Sequence, residues 1–258
     1  MEIIKYLDEF GKTLGEDNRF AYLALTSKIE IPFRDHFAYY LHNNIYNGKK
    51  LVAREYTNED KTIERADLVV LDNGKPEIII EFKACYSYYF RPINNENSSN
   101  LNKINEYLLK MVLDYMKHDK KNKVPNDNKY YILLVTVPET TNGSDELDLD
   151  ELNNIMSKSP LKEFKKIKKD KNYFNGNIFG NDSKVKECID NTINEMKGKM
   201  YNLNEKLEIL LKKKKKNNIE TLNFNGVPIK LEEIFNIYIG NIFNVNCRLI
   251  CLVFKNKK

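Results

Sequence analysis

The sequence predicts an α/β fold with a mixed central sheet flanked by helices. Two short apolar runs flank an Asn-Gly turn. A third run is apolar almost without interruption, and segments with apolar residues at three- and four-residue spacing surround all three. The chain has 258 residues, enough for one sizeable core or a core with a modest second lobe. Hydrophobic residues make up 41% and charged residues 31%, the balance of a soluble globular chain. No stretch approaches the roughly 20 consecutive apolar residues of a membrane-spanning helix.

Taken in order, residues 2 to 10 and about 17 to 26 have the periodicity of amphipathic helices, broken near Gly11 and Gly15. Pro32 suits the first turn of the next helix, expected over Pro32 to about Asn44, with Phe33, Phe37, Tyr40 and Leu41 on one face. Asn47-Gly48 marks a turn, and Lys50 to Tyr56 can form a first strand. Strands over Ala66 to Leu71 and Glu77 to Lys83 follow, joined through Asn73-Gly74, a pair that readily takes the positive φ angles of a tight hairpin. A helix is predicted from Leu101 to about His118, with Ile104, Leu108, Met111 and Tyr115 on one side. Tyr130 to Val137 reads as a strand covered on both faces.

The remainder, 141 to 258, is expected to be a mostly helical extension with segments at Leu149 to Lys168, Val185 to Met200 and Asn204 to Lys216, closed by a final strand, Cys247 to Phe254. It is expected to pack on the core formed by residues 1 to 140.

Several function classes are disfavoured. Cys85, Cys188, Cys247 and Cys251 are too dispersed for paired zinc knuckles, and only His36, His42 and His118 are available to assist them. There is no phosphate-binding ATPase loop. The start, Met1-Glu2-Ile3-Ile4-Lys5, lacks the basic leader and apolar run of a secretory peptide, so a cytoplasmic location is expected. The formal charge of +5, with basic runs at Lys162 to Lys171 and Lys212 to Lys216, is compatible with a polyanionic partner. The Lys212 to Lys216 run can equally be a solvated helix end.

The chemistry concentrates in Arg65-Ala66-Asp67-Leu68-Val69-Val70-Leu71 and Glu77-Ile78-Ile79-Ile80-Glu81-Phe82-Lys83. Side chains alternate along a strand, so Glu81 and Lys83 share a face while Ile78, Ile80 and Phe82 take the other. Hairpin pairing brings Asp67 close to Glu81. Two adjacent carboxylates offer hard oxygen ligands suited to Mg²⁺. Lys83 is placed to hold or deprotonate an attacking water, or to donate to developing charge. The competing reading is a solvated hairpin edge with an ordinary cross-strand ion pair; the apolar run Ile78 to Ile80 argues against an edge facing water.

An acid on one strand followed by acid-any-lysine on the next resembles the PD-(D/E)XK, or restriction-endonuclease-like, nuclease superfamily, with Asp67 and Glu81-Phe82-Lys83 at the motif positions. The family's proline before the first acid is Ala66 here. Residues 30 to 137 also supply the helix before the motif, and the helix and strand after it, that the resemblance implies. Superfamily members often carry a further acid on the first helix, which makes Glu30, just before the predicted helix, and Asp35, in its first turn, candidates. An acid near a helix N-terminus is also favoured by the helix dipole alone. Arg65 and Arg91 are candidate phosphate contacts, although Arg65 can equally pair with Glu64 or Glu55.

The resemblance implies an Mg²⁺-dependent DNA endonuclease in which Mn²⁺ substitutes. It further implies a type II restriction enzyme that cuts double-stranded DNA as a homodimer, with a methyltransferase encoded nearby. A repair or phage-defence nuclease without a specific site, or an inactive DNA-binding module, are the alternatives.

Overall fold

A computed structural model describes residues 2–16, 18–57, 65–87, 101–119, 124–140, 229–242 and 245–256. Three helices, α1 (Glu2–Lys12), α2 (Arg19–Thr26) and α3 (Glu30–Tyr40), precede β1 (Leu51–Tyr56), β2 (Ala66–Asp72) and β3 (Lys75–Tyr86). Then come α4 (Leu101–Asp119), β4 (Lys129–Thr140) and two final strands, β5 (Ile229–Ile242) and β6 (Val245–Asn256). The six strands form one sheet in the order β1-β2-β3-β4-β6-β5. β3 and β4 pair in parallel while the other neighbours are antiparallel, which makes the sheet mixed.

Helices cover both faces. On one, Leu68, Val70, Ile80, Phe82, Ile132, Leu134 and Cys251 pack against Ile3, Leu7, Phe10, Phe33 and Phe37 of α1 and α3. On the other, Tyr131, Leu133, Val135, Ile250 and Leu252 meet Leu108, Met111, Val112 and Tyr115 of α4. β4 is therefore buried on both sides, which accounts for its continuous apolar run. Among the described residues no helix is long and apolar enough to cross a membrane.

The predicted strands up to β4, the helix over 101–118 and the final strand all appear. The helix predicted over Pro32 to about Asn44 shifts. α3 begins at Glu30, so that residue lies in its first turn, and the α-form gives way at Leu41–Tyr46 to a π-helical segment before the Asn47-Gly48 turn. α1 ends at Lys12, one residue past Gly11, so the break falls near Gly11 and Gly15 as predicted. A Cβ at Gly11 would lie 2.7 Å from the Ile237 side chain, so the glycine also permits close approach of β5.

The described part of the C-terminal extension, 229–256, is a pair of strands inside the central sheet, and β5 has no counterpart in the sequence expectation. Two register shifts, at Leu231/Glu233 and Tyr238/Gly240, explain why. They let Leu231 and Ile234 pack on the α4 side while Ile237 and Ile239 pack on the other, which destroys a simple period of two. The helices predicted at 149–168, 185–200 and 204–216, both basic runs and Cys188 lie outside the described residues.

Candidate active site

The site is built where β2 stops and β3 continues. Asn73 and Gly74 both have positive φ (48° and 74°) and close a two-residue turn between Asp72 and Lys75. Run on unbroken, that register would set Asp67 opposite Ile80, with their neighbours on the wrong faces. A shift between Val70 and Leu71 leaves Glu77 as an extra residue, so that Leu68 pairs with Ile80 and, one residue further, Asp67 stands across from Glu81. The closeness of the two acids thus depends on a bulge as well as on the turn.

Beyond the last β2–β3 pair, two N–H groups of β3 lose a strand partner and are taken by carboxylates instead. Phe82 N–H donates to Asp67 Oδ2 at 2.8 Å, and Ala84 N–H donates to Glu30 Oε2 at 3.0 Å. Glu30 is in this way drawn from α3 to the end of the hairpin. Burial raises its pKa, with Lys83 opposing and Asp67 adding to the rise.

Lys83 lies between the acids. Its Nζ is 2.7 Å from Asp114 Oδ2, 3.9 Å from Glu81 Oε2 and 4.0 Å from Asp67 Oδ2, and it donates to Phe82 O at 2.8 Å. Burial disfavours the ammonium, but Asp114, Glu81 and Asp67 outweigh that effect and hold its pKa well above the usual lysine value. Asp67 is pushed up to about 7, first by burial and then by the charge of Glu81; Lys83 and the Phe82 N–H pull the other way. Asp67, Glu81, Asp114 and Glu30 thus gather around Lys83, with the Arg34 guanidinium 4.0 Å from Asp67.

Sequence reasoning missed Asp114 and His118 as site residues. They stand one turn apart on α4, and His118 Nε2 lies 2.5 Å from Glu81 Oε1 with both side chains almost fully buried. A signal was present, because both fall beside Met111 and Tyr115 on the apolar stripe, where an acid and a histidine need a polar partner. Arg34, also missed, is buried on α3. It bonds to Asp35 Oδ1 at 2.9 Å and to Glu55, and its NH1 is 4.0 Å from Asp67 Oδ1.

The other candidates are placed differently. Asp35 is held between Arg34 and Arg54, 2.7 Å from the latter, and is not part of the carboxylate pair. Arg65 is exposed and its Nε lies 2.5 Å from Glu55 Oε2, the ion pair that was its competing reading. Arg91 lies outside the described residues. Among the described residues no group of three or more His, Cys, Asp and Glu side chains is arranged to hold a metal ion.

No family model, curated protein or solved structure matches the chain.

Proposed function

We propose that the chain is an Mg²⁺-dependent endonuclease that hydrolyses DNA phosphodiester bonds, built on a restriction-endonuclease-like core. The observation that carries this reading is the pair Asp67 and Glu81, set across from each other at the open end of a hairpin, with the Lys83 ammonium 4.0 and 3.9 Å from them. Burial weakens the solvated-edge alternative, since Glu81 is only 3% exposed.

The donor set fits Mg²⁺. That ion is commonly held by one or two carboxylates and keeps several waters, so a closed cage of three protein ligands is not required. Burial and the charge of Glu81 raise Asp67 to about 7 although Lys83 Nζ and Arg34 NH1 each lie 4.0 Å away, and a divalent cation held by the two carboxylates would offset their repulsion. Asp67 and Glu81 would be the ligands, with Glu30 nearby. When bound, the cation supplies an acidified water and neutralises charge at the phosphate.

The protein's own groups do the rest. Lys83, held protonated by its acidic neighbours, is suited to stabilise negative charge that develops on a phosphate oxygen. Glu30 and Asp67 accept the strand N–H groups that the end of β2 leaves over and so fix the backbone that carries Glu81 and Lys83.

Site-specific cleavage of double-stranded DNA by a homodimer, as in a type II restriction enzyme with a methyltransferase encoded nearby, is the finer form of the proposal. Mn²⁺ should replace Mg²⁺. Incubating supercoiled plasmid with the protein in Mg²⁺ or EDTA, then sequencing the ends, tests both levels. One recurrent end sequence supports restriction, scattered ends support a nuclease without a specific site, and intact but bound DNA removes the nuclease reading.

A further inference from the structure

We propose that His118 and Asp114 are positioning residues, His118 fixing the carboxylate of Glu81 and Asp114 fixing the ammonium of Lys83, an inference that rests on the nuclease reading above. The two side chains form a matched clamp. Glu81 and Lys83 are two residues apart on a strand, a separation of roughly 6.6 Å along its axis. Asp114 and His118 are four apart on a helix, a rise of about 6 Å. The pairs are Glu81 with His118 and Lys83 with Asp114, so the numbers run in opposite senses. That is the order expected for a helix that returns the chain between two parallel strands, as α4 does between β3 and β4.

Each contact leaves part of the functional group disposed toward the site. His118 Nε2 meets Oε1 of Glu81, and the second oxygen, Oε2, is the one 3.9 Å from Lys83. The buried imidazole therefore fixes which oxygen faces Lys83. Asp114 lies nearer to Lys83 Nζ, at 2.7 Å, than either Asp67 or Glu81, so the ammonium keeps its position without a close ion pair to them. The clamp is itself anchored. Lys129, buried at the start of β4, donates to the backbone carbonyl of His118 at 3.1 Å and to Asn126 Oδ1 at 2.9 Å, which ties the last turn of α4 to the strand beside β3. Outer partners of this kind, which orient a ligand without touching the metal, commonly matter by about 10- to 100-fold in metal affinity or activity.

The two residues should leave different signatures. His118→Leu should weaken Mn²⁺ binding, measured by isothermal titration calorimetry with the metal alone, by about 10- to 100-fold, whereas His118→Gln, which keeps a donor for Glu81, should recover most of it. Asp114→Asn should bind Mn²⁺ within a few-fold of wild type yet cleave about 10-fold or more slowly in single turnover at saturating metal. Asp114→Asn preserves volume and an acceptor, so it carries the contrast even where His118→Leu does not fold.

Wild-type metal binding and cleavage by all variants would overturn the clamp and leave the nuclease reading standing. Parallel loss of metal binding, cleavage and thermal stability in Asp114→Asn would also overturn it, by assigning that residue a merely structural role. A wild-type protein that neither binds Mn²⁺ nor cuts DNA would remove the nuclease reading and the clamp with it.

Discussion

Replacing Asp67 with asparagine should make the metal-free protein more stable at pH 8 while abolishing cleavage. Burial and the charge of Glu81 push the Asp67 carboxyl up to about 7, against about 3.9 in an unfolded chain. Between those values the folded state holds a proton that the unfolded state has released, so stability falls as pH rises from about 4 through about 7 and is flat above. A displacement of about 3 pH units corresponds to about 4 kcal/mol. Glu81 shares the interaction, so this is an upper value, and a gain of about 1–3 kcal/mol follows for the neutral amide. For a domain of this size 2 kcal/mol is on the order of 5 °C in melting temperature. Thermal melts in EDTA at pH 5, 6, 7 and 8 read this directly. The advantage of the variant should be largest at pH 8 and shrink toward pH 5. A variant that melts no higher than wild type at pH 8, or by a margin independent of pH, would refute the reasoning.

Further outcomes follow from the same geometry. Lys83→Ala should retain DNA binding in Ca²⁺ and slow single-turnover cleavage by about 10²-fold or more; Lys83→Arg should rescue poorly, because the larger fork does not fit the space set by Asp114, Glu81 and Asp67. Mg²⁺ should raise the melting temperature of the wild type at pH 8 and have little effect on Asp67→Asn, as differential scanning fluorimetry would register. Gly240→Ala should destabilise the fold by at least about 1 kcal/mol in urea titration. Its φ is +117°, and the added Cβ would lie 2.5 Å from Asn18 Oδ1, the acceptor of the Asn241 N–H.

How much of this was legible in the sequence depends on the range of the interaction. Asn73-Gly74 announces the hairpin, and the alternation of Glu81, Phe82 and Lys83 announces which side chains share a face, because both are local consequences of backbone geometry. The bulge at Glu77 was not legible. Pro76 beside it hints at an irregularity, since proline inside a sheet is confined to edges, strand starts and bulges, but it does not tell which residue is extra, and that one residue decides whether Asp67 faces Glu81. Asp114 and His118 were visible only as polar residues on an apolar stripe, and their partners lie more than thirty residues earlier. β5 failed for a third reason. Its pairing with β6 is local, but its burial changes face along the strand and its fit against Gly11 spans most of the chain. Glu30 was legible as an acid near a helix start, while its bond to the Ala84 N–H needed the end of β2 to be known.

The central claim is that Asp67, Glu81 and Lys83 hydrolyse phosphodiester bonds with a divalent metal. Its most direct test is single-turnover cleavage of plasmid DNA by wild type and Glu81→Gln in Mg²⁺, run beside a DNA-binding isotherm in Ca²⁺. Cleavage by wild type that EDTA stops, together with a Glu81→Gln protein that binds DNA but cuts at least about 10²-fold more slowly, is the predicted result. Equal cleavage by the two proteins, or DNA bound and left intact by a folded wild type, would contradict it.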